Sequence, residues 1–147
     1  MPRVDFYHNV PDTLLFARKL LQTVYQKKNR VFVLLAATEL LNEFSLRLWC
    51  LGDDAFIPNC PVEAKEAPKT PILLGLKIPD SFAQLPTILL NLTDSTEPKT
   101  YTKSFKRILE ITQNNAESSI LTQIRLNYYQ NQSFDIFEHD MTMHHAK

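Results

Sequence analysis

Three short, almost unbroken apolar runs, with helical spacings between them, organise this chain. Val31-Phe32-Val33-Leu34-Leu35, Ile72-Leu73-Leu74-Gly75-Leu76 and Ile88-Leu89-Leu90-Asn91-Leu92 have the pattern of strands covered on both faces, as in a parallel sheet. Arg3 to Tyr7 predicts an earlier strand, through β-prone Val4, Phe6 and Tyr7. Asn9-Val10-Pro11-Asp12 then offers cap-type side chains and a proline for the first turn of a helix. Leu14, Ala17, Leu21 and Val24 follow at helical spacing, and Lys27, Lys28 and Asn29 close the helix where its dipole is negative. Thr38 is placed to cap a second helix whose apolar face is Leu40, Leu41, Phe44, Leu48 and Leu51.

The second half predicts a helix over residues 101–112 with Phe105, Ile108 and Leu109 inward, broken by Asn114-Asn115. Another follows from Glu117 to Tyr129, with Ile120, Leu121, Ile124 and Tyr128 on one side, and Phe134 to Phe137 alternates as a last short strand. Asp53 to Pro71 reads as a loop, since Pro58, Pro61, Pro68 and Pro71 forbid long regular structure, and Pro79 to Pro86 reads as a turn or a single helical turn. His139 to Lys147 reads as a tail beyond one domain spanning residues 1–138. Strands alternating with helices imply an α/β fold, a three-layer α/β/α sandwich on a mostly parallel sheet of about four to five strands. Sites in such folds sit at the carboxyl ends of strands, here Tyr7-His8-Asn9, Ala36-Ala37-Thr38 and Asn91 to Asp94.

Composition narrows the function classes. Sixteen Lys plus Arg balance sixteen Asp plus Glu, which argues against bulk electrostatic binding of nucleic acid and leaves only a local patch. Two glycines, Gly52 and Gly75, are too few for a phosphate-cradling loop. Cys50 and Cys60 suggest free thiols in a reducing compartment, and no apolar run reaches the length of a membrane span. With no signal-type segment at Met1 to Tyr7, the expected location is cytoplasmic.

Candidate chemistry is sparse. His8 with Asp94 would make an acid–base pair, but both fall where turn and cap residues belong. His139, His144 and His145 lack a recognised metal-ligand spacing, and no metal or cofactor is expected. Lys99, Lys103, Lys106 and Arg107 cluster at the start of the expected 101–112 helix, where cations oppose the dipole at roughly 0.3–1 kcal/mol each. Either a partner retains them, an acidic peptide or a nucleic-acid backbone, or they form a solvated face in which Glu110 pairs with Lys106. The most distinctive stretch is Leu48 to Asn59, where the single tryptophan, Trp49, ends a helix pattern and Phe56 follows in a loop. Large aromatics placed there either cap the core or meet a partner.

Phe6-Tyr7, Arg30 to Val33, Leu46-Arg47-Leu48-Trp49, Phe56-Ile57-Pro58-Asn59 and Ile88 to Leu92 occur in an order that resembles the chi subunit of bacterial DNA polymerase III. Phe105, Ile108, Leu109 and Glu110 resemble the family's following helix, and Arg125 and Tyr129 its last. The resemblance implies a non-catalytic replisome adaptor. It would pair with the psi subunit, and so indirectly with the clamp loader, and bind the acidic C-terminal tail of single-stranded DNA-binding protein. Direct contact with nucleic acid would be weak or absent. It also implies Trp49 and Pro58 for psi, and Phe56 as the aromatic wall of a tail slot. The tail's basic partners on the last helix fall at Ser119, Gln123 and Asn127, none charged, and flanking positions fall at Thr112 and Leu126. Only Arg125 is basic in that helix. Tail binding is therefore expected to be kept but weakened, or moved toward Lys103, Lys106 and Arg107, or lost with the psi contact kept. The competing classes are a small α/β enzyme or nucleotide-binding protein, and a structural partner unrelated to replication.

Overall fold

The computed structural model describes residues 3–50, 57–61, 64–65, 69–76, 87–93, 105–113 and 116–141; the side chains of residues 49–50 and 116–118 are not among those described. In chain order the elements are β1 (Arg3–His8), α1 (Thr13–Gln26), β2 (Val31–Leu34), α2 (Thr38–Cys50), β3 (Asn59–Pro61), β4 (Ile72–Gly75), β5 (Ile88–Asn91), β6 (Arg107–Ile111), α3 (Ala116–Asn131) and β7 (Asp135–Asp140).

The strands form one sheet in the order β3-β4-β2-β5-β6-β1-β7, and every ladder is parallel. The period of two along each strand then builds two cores. Val31 and Val33 face α1 and α2, where Ala17, Leu21 and Val24 meet Leu41, Phe44 and Leu48. Phe32 and Leu34 face the opposite way, toward the layer containing Tyr129 of α3 with Val4, Phe6 and Ile108. Each such leucine or phenylalanine removed from water contributes about 1.5–3 kcal/mol. The α/β/α class follows from this layering, with seven strands where fewer were expected.

Local chemistry explains the boundaries. Asp12 caps α1 by accepting from the Leu15 amide at 3.1 Å, and Pro11 stands before the cap rather than inside the first turn. α1 ends in a turn where Lys28 takes φ 64° and its amide donates to the Tyr25 carbonyl at 2.8 Å. α2 begins at Thr38 itself, with Leu40 partly exposed on its outer side. Leu51 and residues 79–86 lie outside the described residues.

Four expectations need correction. The region read as a helix over 101–112 contains β6; residues 101–104 lie outside the described set. Ile108, Leu109 and Ile111 are buried because β6 sits between β5 and β1 with both faces covered. A polar Glu110 inside that run broke the apolar signature and left a spacing that also fits a helix. The inward face of α3 is Thr122, Arg125 and Tyr129, with Leu126 partly buried, whereas Ile120 and Ile124 are 64% and 42% exposed. The proline-rich loop contains β3, a three-residue edge strand in which Pro61 is tolerated because an edge need not donate on both sides. Finally, β7 continues through His139 and Asp140, and the Met141 amide donates to the His8 carbonyl at 3.0 Å, so these residues are held against β1 rather than in a tail.

Candidate functional site

Glu110 sits in the middle of the sheet, on the face that α3 covers, in register with Phe6 of β1 and Asn91 of β5. A fully buried carboxylate is costly unless its oxygens are satisfied. Arg125 Nη1 donates to it at 2.8 Å, Tyr129 Oη at 2.7 Å, and Asn91 Nδ2 spans both oxygens at 3.1 and 3.2 Å. Arg125 Nη2 also donates to the Thr93 carbonyl at 3.0 Å, and Thr93 donates through its amide and hydroxyl to Asn91 Oδ1 at 3.0 and 2.7 Å. Burial pushes the Glu110 carboxyl upward, and the Arg125 charge with the Tyr129 and Asn91 donors pulls it back. The arrangement fastens α3 to β5 and β6. Arg125, the single base of the last helix, is spent inside it at 1% exposure.

The other positions named from sequence divide. Ser119, Gln123 and Asn127 lie on the outer side of α3, with Gln123 Nε2 donating to Asn127 Oδ1 at 3.1 Å. Thr112 is buried just past β6, its amide on the Tyr7 carbonyl at 2.9 Å, and Leu126 is partly buried against the α3-side core. Pro58 is half-buried between α2 and β3. Its neighbour Ile57 donates to the Leu48 carbonyl at 2.7 Å, and Ser45 Oγ donates to Asn59 Oδ1 at 2.6 Å, which holds this segment against α2. Phe56, Lys99, Lys103 and the Trp49 side chain lie outside the described residues.

A second polar cluster, on the α1 face, was not read from the sequence. Asp5 is fully buried and accepts from Arg3 Nε and Nη2 at 3.0 and 2.9 Å and from Arg107 Nε at 3.0 Å, while His139 Nε2 lies 3.0 Å from Asp5 Oδ1. Burial alone would raise the Asp5 carboxyl, but the bonds from Arg3, His139 and Arg107, with the Arg107 charge, hold it below its usual range. The Arg3 guanidinium lies 4.1 Å from the centroid of Phe137, and His139 stacks on Tyr7. Arg3 and Arg107 are register partners on β1 and β6 and keep 43% and 34% of their side chains exposed. The period-two placement of Arg3, Asp5 and Tyr7 was a usable signal; Arg107 was hidden by the helix assignment. Arg107 therefore serves Asp5, not a helix dipole, and Glu110 pairs with Arg125 instead of Lys106, which is exposed.

The remaining chemistry is modest. His8 Nε2 lies 3.0 Å from Glu138 Oε1 on the surface, and Asp94 lies outside the described residues. Among the described residues no group of three or more His, Cys, Asp or Glu could hold a metal ion; His144 and His145 are outside them. Cys60 is a free, half-buried thiol. A cavity of about 270 Å³ opens at the strand ends, between Ala36, Leu40, Thr93, Thr112 and Leu121. Two of the three expected strand-end positions thus line it, through Ala36 and Thr93. A smaller one, about 90 Å³, lies beside Pro11, Leu15 and Lys19 at the start of α1. No helix among the described residues is long and apolar enough to cross a membrane.

Comparison with curated proteins found no match. Against protein families, residues 1–136 match the DNA polymerase III chi subunit, HolC, and the chain belongs to that family.

Proposed function

We propose that this chain is a non-catalytic adaptor of the replisome, pairing with the psi subunit and through it with the clamp loader, and holding the acidic C-terminal tail of single-stranded DNA-binding protein in the cytoplasm. The observation that carries the reading is the family match across residues 1–136, which includes nearly every described element.

For psi, the corner between α2 and β3 is the proposed contact, with Trp49 and Pro58. The hydrogen bonds of Ile57 and Asn59 hold the Pro58 segment against α2, whose last turn carries the Trp49 backbone. For the tail, Phe56 is proposed as the aromatic wall. The surface of Ser119, Gln123 and Asn127 offers hydrogen bonds but no charge, and Arg125 is committed to Glu110. A peptide with several carboxylates gains from charge-assisted bonds, which favours the cations at Lys106 and Arg107, with Lys103, over the outer face of α3.

Calorimetric titration of the tail peptide tests this with wild type, Phe56→Ala, and the pair Lys106→Glu with Arg107→Gln. Binding abolished by Phe56→Ala and weakened by the pair supports the slot and its basic partners. An unchanged affinity in the pair removes the re-siting, and no binding to wild type removes the tail from the function while leaving psi.

A further inference from the structure

An all-parallel sheet sorts its ends: every strand starts at one rim, every strand finishes at the other, and each connecting helix runs back between them. Among the described residues, charge is sorted the same way. At the strand-start rim stand Arg3, Lys27, Lys28, Lys69, Lys106 and Arg107, and the four lysines among them are exposed. Of the described acids at that rim, Asp135 opens β7 and Asp5 is already consumed by Arg3 and Arg107. At the strand-end rim stand Asp12, Glu39, Glu138 and Asp140, against Lys65 beyond β3.

Lys27 and Lys28 have a local explanation, since they follow the C-terminus of α1 and oppose its negative pole. Lys69, Lys106, Arg107 and Arg3 have no such reason, because they stand at or just before strands. Arg3 and Arg107 face each other across neighbouring strands, where like charges repel. The buried Asp5 offsets that repulsion by accepting from both guanidiniums, which stay partly exposed. Four strand steps separate β4 from β1, so the row extends about 19 Å at roughly 4.8 Å per step. On β7, two residues inside the rim and level with Asp5, Phe137 is 44% exposed and carries the Arg3 guanidinium over its ring.

We propose that the strand-start rim, from Lys69 through Lys106 and Arg107 to Arg3 and Phe137, binds the backbone of single-stranded nucleic acid. A row of cations ending in a ring-stacked arginine suits a chain of phosphodiesters with a stacking platform. The tail reading uses Lys106 and Arg107 only as partners for carboxylates beside a slot at Phe56; the longer row from Lys69 to Arg3 has no such slot in either cavity described, since both open near the strand ends and the start of α1. This goes beyond the adaptor role, because it supplies a direct nucleic-acid contact that a net charge of zero conceals.

The test is fluorescence anisotropy of the full chain with a labelled oligothymidylate of about 16 nucleotides, titrated at several salt concentrations. The triple variant Lys27→Glu, Lys69→Glu, Lys106→Glu reverses exposed charges without touching Asp5 or its partners. Lys19→Glu, on the outer side of α1, serves as the control, and circular dichroism confirms folding of both. Salt-dependent binding that falls at least tenfold in the triple variant and holds in the control supports the site. The slope of log affinity against log salt then flattens by about 0.7 for every phosphate that is no longer neutralised. Absence of binding at low salt, or equal weakening in the control, overturns the proposal. Equal binding of a polyglutamate peptide also overturns it and assigns the rim to an acidic protein segment, which the separate tail titration resolves.

Discussion

Removing Arg125 gives the sharpest test of how the two halves of the sandwich are joined. In Arg125→Met the aliphatic part of the side chain is kept, while the bonds to Glu110 at 2.8 Å and to the Thr93 carbonyl at 3.0 Å disappear. Glu110 stays fully buried with only Tyr129 and Asn91 as donors. Breaking a buried pair in this way costs about 3–5 kcal/mol, because the surviving charge has no counterion. A domain of this size has about 5–15 kcal/mol in total, so the variant folds with a much smaller reserve. At about 2–4 °C per kcal/mol, its melting temperature falls by roughly 6–20 °C. The pH dependence carries a second signature. Burial already raises the Glu110 carboxyl, with Arg125 pulling it back; without Arg125 it rises further. A carboxyl raised in the folded state stays neutral there while the unfolded chain ionises, so stability is fullest below the unfolded value and falls as pH rises. The unfolded chain is common to both proteins, so the gap opens only above the wild-type folded value, itself raised above the ordinary carboxyl range, and widens until the variant's carboxyl ionises. Urea unfolding followed by circular dichroism from pH 4 to about 8 measures it. A cost under about 1 kcal/mol with no pH dependence would show that the pair contributes no more than a surface ion pair, and the argument for a fastened α3 would fail.

Two further expectations rest on the corrected structure. Asp5→Asn lowers stability at neutral pH by about 1–3 kcal/mol, since it removes a charged acceptor bonded to two arginines. The wild-type carboxyl is held below its usual range, so its contribution is present above the unfolded value and fades as pH falls through the folded one. Thermal melts from strongly acidic to neutral pH should show a shallower acid limb in the variant, and identical limbs would refute the cluster. Ile120→Lys changes stability by no more than about 0.5 kcal/mol, because the side chain is largely exposed; a cost above about 1.5 kcal/mol in urea unfolding would return Ile120 to the core face.

What the sequence disclosed follows the chemistry of each element. β2, β4 and β5 are nearly pure aliphatic runs, and α1 has a cap and a regular spacing, so local pattern was enough. β6 and α3 were misread together, because their polar members satisfy one another across the sheet. Glu110 reads as an interruption in a strand, and Arg125 as the exposed side of a helix, until the two are brought to 2.8 Å. Ile120 and Ile124 drew the apolar face to the wrong side of α3 for the same reason. The alternation of Arg3, Asp5 and Tyr7 hints at the Asp5 cluster, but its partners Arg107 and His139 lie more than a hundred positions away, beyond the reach of local pattern. As proposed psi contacts, Trp49 and Pro58 come from the resemblance alone, and the Trp49 side chain lies outside the described residues.

The placement of β1 between β6 and β7 governs how the chain is made. Both neighbours come from the last third of the sequence, and the His8 contact with Glu138 spans 130 residues. At roughly 5–20 residues per second, β1 waits about 7–26 s after its own synthesis for those partners to emerge from the ribosome. During that interval Val4 and Phe6, destined for complete burial, have no native strand beside them, and the nascent chain depends on being shielded. Closure of such distant pairings is slow, so a chain that terminates before β6 would leave its first strand as a sticky edge. Premature termination in this protein should therefore yield aggregates or proteolytic targets in place of shortened but working molecules.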